Sequence, residues 1–388
     1  MKVVIKKGKN KKAKKEMKEK KGLGEIGRRE GRERRRIVMM MMVVMMVVMM
    51  VMGCNSGGGI KEGEGAGGGD GSGLSGAMME VGRSAENAFY EFIELMSDVL
   101  GFSVNTTTKK EDVGNHFKSL GVKLGKASEE LEEVAKKAAD SSKSQEVREA
   151  VDLAKATLNT LKTNINLLGT VGDDNVVGYA NNVAGSGAAV ADNELKKALK
   201  ALQEIVKSAT DAGVQTLKEG TITLQANGGA DNKDGAKILA TSGGNNPGAN
   251  DAGKAAAILA TVSGEELLAS IVTSKESDAA LTANASGDTT AVAFSKGGQA
   301  DHLAGANTPK AAAVAGGIAL RSLVKTGKLA SGAADNATGG GKEVQGVGAT
   351  AVNKLLVAVE DIIKKTVKNV LEKAKEKIDE SRKPKTAE

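Results

Sequence analysis

The sequence predicts an all-α protein, an elongated helical bundle with paired N- and C-terminal helices and a loop-rich Gly/Ala/Asn central region. Three observations carry this reading. Aromatic residues make up 2% of the chain and Trp is absent, so the core must come from Leu, Ile, Val and Ala, and the rings that sheets favour are scarce. Toward both ends of the chain, apolar residues recur at spacings of three and four, the period of a helix. Between those runs, from about residue 220 to 348, the composition shifts to Ala, Gly, Asn, Asp, Ser and Thr, which favours loops and short helices.

The first segment is a leader. Ile37 to Met52 is an unbroken block of 16 Ile, Val and Met residues, preceded by the basic cluster Arg32 to Arg36 and followed by Gly53-Cys54. A positive n-region, a short apolar h-region and a small residue at the cut describe a secretory signal, whereas a membrane-spanning helix needs about 20 apolar residues. Gly53 fits a peptidase pocket, and Cys54, the only cysteine, is the expected lipid-attachment residue, carrying covalent diacylglycerol and an N-acyl chain. Two or three acyl chains hold a protein on a membrane where one holds it marginally. With 36 residues ahead of the block, a start at Met17 would leave the mature chain unchanged. From Asn55 to Gly76, 11 positions are Gly, the composition of a flexible tether.

The helices follow in order. Phe89, Phe92, Ile93, Met96 and Leu100 share one helical face, and Gly101 can end that helix. Ser128 is a candidate N-cap for residues 128–139, with Glu129 and Glu130 in the first turn and Leu131, Val134, Ala135 and Ala138 on one face. Val147, Val151, Ala154, Leu158, Leu161, Ile165 and Leu168 alternate spacings of four and three, the seam of packed helices. Asp192 is placed to cap a helix carrying Leu195, Leu199, Leu202, Val206 and Ala209, with Gly213 as its stop. The last helix runs from Val352 through Leu356, Val359, Ile363, Val367, Val370 and Ala374 toward Ile378. In the centre, Ala255 to Val262 and Ala311 to Val324 read as helical islands. A weak, irregular repeat returns Ile238-Leu239-Ala240-Thr241 as Ile258-Leu259-Ala260-Thr261.

Charge and chemistry narrow the function. The formal charge is +7, but 17 Lys and Arg against five Glu precede Cys54, so the leader carries +12 and the remainder −5, which argues against a nucleic-acid partner. A lone cysteine allows no intrachain disulfide and no Cys-based metal cage. Gly248 with Gly253-Lys254 begins a phosphate-loop pattern, but Ala255 stands where Ser or Thr must hold magnesium. Gly346 to Ala351 resembles a dinucleotide fingerprint without a preceding strand and reads instead as a flexible approach to the last helix. His116 and His302, the only histidines, lack ligand-type neighbours. Asp173-Asp174 and Glu132-Glu133 read as solvated charge. No enzyme, cofactor or metal is expected.

Four stretches together carry a resemblance: the Cys-Asn-Ser-Gly-Gly start at 54–58, GRSAENAFYEFIELMSDVLGF at 82–102, GVKLGKASEELEEVAKKA at 121–138 and AVNKLLVAVEDIIKKTVKNVLEKAKEKIDE at 351–380. In these the chain resembles the variable large proteins of relapsing-fever Borrelia. The resemblance implies an outward-facing lipoprotein antigen of the cell outer membrane, bound to it through the lipids on Cys54, recognised by host antibodies and exchanged among variant copies to evade them. The alternative is an adhesin or host-factor-binding surface lipoprotein; the host ligand and oligomeric state stay open. The expected organisation is a signal peptide at 1–53, lipidated cysteine and tether at 54–83, a helical domain at 84–380 with its variable-type region at about 170–345, and a tail at 381–388.

Overall fold

The computed structural model describes residues 101–137, 144–224, 232–243 and 246–382. The chain falls into two units, Met1–Gly68 and Gly69–Glu388, and every described residue belongs to the second. The leader, Gly53, Cys54, the Gly-rich tether, the Phe89 to Leu100 period and the tail from residue 383 lie outside the described residues.

In chain order the elements are α1 (Lys110–Lys137), α2 (Ser144–Leu168), α3 (Asp192–Asp211), a 3-10 helix (Lys233–Leu239), β1 (Ala240–Ser242), α4 (Asp251–Ala260), α5 (Gly264–Val272), α6 (Ala291–Lys296), β2 (Gly298–Gln299), α7 (Ala300–Leu303), α8 (Ala311–Leu323) and α9 (Gly341–Arg382). The two strands form one short parallel pair. The fold is all-α, as the composition predicts.

Helices α1, α2 and α9 make a frame. All seven seam residues of α2 are buried, and that seam packs against α1, α3 and α9. On α9, Val352, Leu356, Val359, Ile363, Val367, Val370, Ala374 and Ile378 are likewise buried. The N-terminal part of the frame is tied to α9 by polar contacts. Val104 exchanges two hydrogen bonds with the Asn353 amide (2.7 and 2.9 Å), and His116 Nε2 lies 2.8 Å from Glu360 Oε1.

Three sequence expectations need correction. Helix α1 begins at Lys110, not Ser128, which is buried within it. The start is set by Asp112 Oδ2, which accepts from the Lys109 N–H at 2.8 Å, with Glu111 and Asp112 in the first turn. Gly114 lies inside this helix, and a Cβ there would stand 2.7 Å from the Gly169 carbonyl, so the missing side chain lets the end of α2 approach. That packing outweighs the roughly 1 kcal/mol a helical Gly costs. Helix α9 begins at Gly341, and the 346–351 stretch read as flexible is helix; there Gly348 meets Gly178, with 2.6 Å between a hypothetical Cβ and the Gly178 Cα. Asp192 opens α3 as expected but does not cap it: Ala191 holds the cap position without a side-chain bond, and Asp192 pairs instead with Lys196 and Lys296, each at 2.8 Å.

The central region forms a lobe on this frame. Its middle is α8, where every residue from Ala311 to Leu323 is buried among α4, α5, α6 and α9. Loops are abundant, as expected, but they surround a packed interior. The repeated Ile-Leu-Ala-Thr tetrads adopt different structures, the first leaving the 3-10 helix into β1 and the second closing α4. Tertiary setting overrides local sequence here.

Candidate functional site

Residues singled out by sequence mostly serve structure. His116 is nearly buried, stacks on Phe102 with centroids 4.5 Å apart, and pairs with Glu360. Glu132 binds Lys155 and lies 3.9 Å from Arg148, joining α1 to α2. Lys254 is held by Asp234 at 2.5 Å and by Asp251 at 3.7 Å, and Asp251 also accepts from the Gly248 N–H, so both ends of the phosphate-loop match are engaged internally. The His302 carbonyl accepts from Ala285 N–H. Among the described residues no group of three or more His, Cys, Asp or Glu side chains converges.

What the structure does assemble is a junction between frame and lobe, centred on two buried cations. Arg321, fully buried on α8, donates from Nε to the Ser295 carbonyl (2.5 Å), from Nη1 to those of Ala188 (2.9 Å) and Lys328 (3.4 Å), and from Nη2 to that of Leu239 (3.4 Å). Burial pushes its guanidinium down to about 9, still protonated at neutral pH. Lys110, also buried, donates to the carbonyls of Val324 (2.9 Å) and Gly327 (2.8 Å), with Asp173 Oδ1 at 3.8 Å. Burial lowers its ammonium to about 8; Asp173 opposes the shift and Arg321 adds to it.

Both cations therefore clamp the 324–328 turn. Thr326 at its tip has φ 63, rare for a β-branched residue. It is held by its N–H donating to Asp173 Oδ2 and its hydroxyl donating to the Ala189 carbonyl, both at 2.9 Å. Sequence reasoning missed this junction. Its one signal was a charged residue inside the apolar run of α8, since Arg is almost never fully buried without strong hydrogen bonding.

From the junction the exposed loops fan out, and main-chain hydrogen bonds fix them. Gly185 and Ser331 exchange N–H to carbonyl bonds (2.9 and 3.1 Å), Asp335 N–H donates to Asn182, Leu281 to Gly297, and Ala285 to His302. Val183, Lys275, Glu276, Ser277, Asn284, Asn336 and Thr338 point outward from these loops. Main-chain bonds fix much of the loop backbone, while side chains such as those of Val183, Glu276 and Ser277 face solvent.

The class that fold and junction define is a helical scaffold presenting ordered loops. A family model described as Borrelia lipoprotein matches residues 85–378. Variable large protein 7 of Borrelia hermsii is 69% identical over 324 residues, covering 82% of this chain and 87% of the relative, and variable large protein 18 of the same organism is 60% identical over 320 residues, covering 81% and 86%. This chain belongs to the variable large protein family of Borrelia lipoproteins. Its fold is similar to that of the Lyme disease variable surface antigen VlsE of Borrelia burgdorferi, with a TM-score of 0.61 and 22% identity, covering 80% of this chain and 100% of that one.

Proposed function

We propose that the chain is an outer-surface lipoprotein antigen, anchored by acyl chains on Cys54 after cleavage behind Gly53, that serves antigenic variation and evasion of host antibody without catalysis. One observation carries this reading: the lobe loops are held through backbone groups. A bond between Gly185 and Ser331 main chains, or between Asp335 N–H and the Asn182 carbonyl, survives replacement of most exposed side chains nearby. Antibody binding depends on those side chains, so epitopes can change while loop conformation persists. The family membership and the variable surface antigen fold support the same reading.

Protease treatment of intact cells tests the display. The expected result is loss of the protein without lysis; full protection overturns outward presentation. Growth under a neutralising antibody tests the variation: replacements should fall at exposed positions within about 170–345, and changes concentrated on the α2 seam would refute it. For the anchor, Cys54→Ser should abolish labelling by radioactive palmitate and release the protein from the membrane fraction.

A further inference from the structure

Helix α2 carries a second seam on the side opposite its buried one. Leu153, Ala156, Thr160, Thr163 and Leu167 recur at spacings of three and four, as the core seam does, but the first four are exposed and Leu167 is half-buried. Leu153 is 66% exposed, more than any other large apolar side chain among the described residues. The hydroxyls along this face turn to the backbone: Thr157 donates to the Leu153 carbonyl at 3.2 Å, Thr160 to that of Ala156 at 3.0 Å and Thr163 to that of Asn159 at 2.8 Å. Each is satisfied within its own helix and needs no water.

Charge is missing from this face. Between Leu153 and Thr170 the charged residues are Lys155 and Lys162, and both lie on the flank toward α1: Lys155 binds Glu132, and Lys162 Nζ sits 2.8 Å from where a Cβ on Gly125 would stand. The outer faces of the other frame helices differ. Lys118, Lys126, Glu129 and Glu133 are exposed on α1, as are Asp361, Lys365 and Lys368 on α9. A helix that faces water carries such charge, whereas a heptad of apolar and small uncharged residues is a surface for packing another helix.

We propose that this outer seam pairs with the same seam of a second copy of the chain, laid parallel to it on one membrane. The face is self-complementary: it holds no charge to repel its own image and none with which to select a different partner. The inference rests on the Cys54 anchor proposed above, which holds every copy by the same end. A two-fold axis therefore runs along α2, and Leu153, Thr160 and Leu167 each meet their own counterparts. Residues 153–167 span about 22 Å of a helix about 10 Å across, roughly 220 Å² in projection on each copy. That is well below the about 800 Å² that each partner of a stable complex buries. Pairing thus depends on the local concentration that a shared membrane supplies, and dilute chains stay apart.

Cysteine cross-linking tests the pairing, since the lipids proposed on Cys54 occupy the one native thiol. The full chain is reconstituted in phosphatidylcholine vesicles and oxidised with copper phenanthroline. Leu153→Cys and Thr160→Cys should each link to their own kind at least about fivefold faster than Lys368→Cys, which reports random collision, and the difference should disappear in dilute detergent. Thr160→Glu, an exposed change to a good helix former, should slow linking of Leu153→Cys at least about fivefold while circular dichroism stays unchanged. Flotation of the unsubstituted chain with the vesicles reports the anchor separately. If it does not float, the same variants on a Cys54→Ser background, held on nickel-chelating lipid by a C-terminal His-tag, give the same comparison. The proposal is overturned if the seam cysteines link no faster than Lys368→Cys, if Thr160→Glu has no effect, or if Leu153→Cys links only to Leu167→Cys, which would make the pair antiparallel. It is also overturned if Thr160→Cys resists alkylation in dilute detergent, which would make residues 84–100 of the same chain the occupant.

Discussion

The frame and the lobe solve the same burial problem by different means. In the frame, long helices interlock branched side chains, and the seam from Val147 to Leu168 excludes water with scarcely a polar atom. In the lobe, α8 offers Ala and Gly, which bury little apolar area, and backbones come close enough that Gly317 leaves no room for a Cβ beside Phe294. Close backbones bring carbonyls inward, and those need donors. Arg321 and Lys110 provide them. The frame is thus held by area and the lobe by donors to its main chain, so side chains matter broadly in the first and at a few points in the second.

The sharpest way to break this comparison is to give both regions the same replacement. Arg321→Met keeps bulk but removes a donor from four buried carbonyls, those of Ser295 and Leu239 and those of Ala188 and Lys328, of which the last two keep their main-chain bonds to each other, and should cost about 3 kcal/mol in urea denaturation. Leu161→Met conserves volume in the frame and should cost about 1 kcal/mol or less. If the two lose equal stability, the distinction fails. Leu161→Ala, which opens a cavity in the seam, should cost about 3 kcal/mol, because packed helices with partners on several sides collapse poorly around a void.

Lys110 sharpens the comparison through pH. Its ammonium titrates at about 8 in the fold against an ordinary 10.5, chiefly because burial penalises the charge. Between these values the folded chain has released a proton that the unfolded chain still holds, so stability rises with pH across that window. Compared with Lys110→Met, the chain should gain roughly 2–3 kcal/mol from pH 8 to pH 10.5 and follow a parallel curve below pH 8. Urea midpoints of both proteins at half-unit intervals measure it. A constant difference across the window would mean that Lys110 is hydrated and not part of the lobe's internal wiring.

The same division explains what could be read in advance. Periodicity exposed the α2 and α9 seams residue by residue, since branched side chains mark their buried face. It missed the first eighteen residues of α1 and the first eleven of α9, because Gly114, Gly121, Gly346 and Gly348 count against helix until a neighbouring backbone is known to approach. It recognised α8 as a helix but not its burial on every side, because Ala and Gly carry no facial signal. The junction was hidden more deeply: Lys110 and the turn it clamps are over two hundred residues apart, and no local pattern encodes such a meeting. Cys54 needed only order along the chain, so that reading rests on sequence.

The smallest expected effect tests whether surface charge contributes to joining the two regions. Asp192, at the start of α3, bonds Lys196 within its own helix and Lys296 at the end of α6, and these bonds lower its carboxyl to about 2. The carboxylate is half exposed, so water and salt screen both pairs, and Asp192→Asn should cost less than about 1 kcal/mol. A depressed carboxyl contributes above its unfolded value of 3.8 and loses that contribution as pH falls toward 2. The difference between the two proteins should therefore vanish by pH 2 and shrink in 1 M NaCl, where the screening length is about 3 Å. A salt-independent loss of several kcal/mol would place Asp192 alongside Arg321 as a member of the junction. A small, screened loss leaves frame and lobe joined by buried donors and by the packing of α8 on α9, with surface pairs free to change as the epitopes around them do.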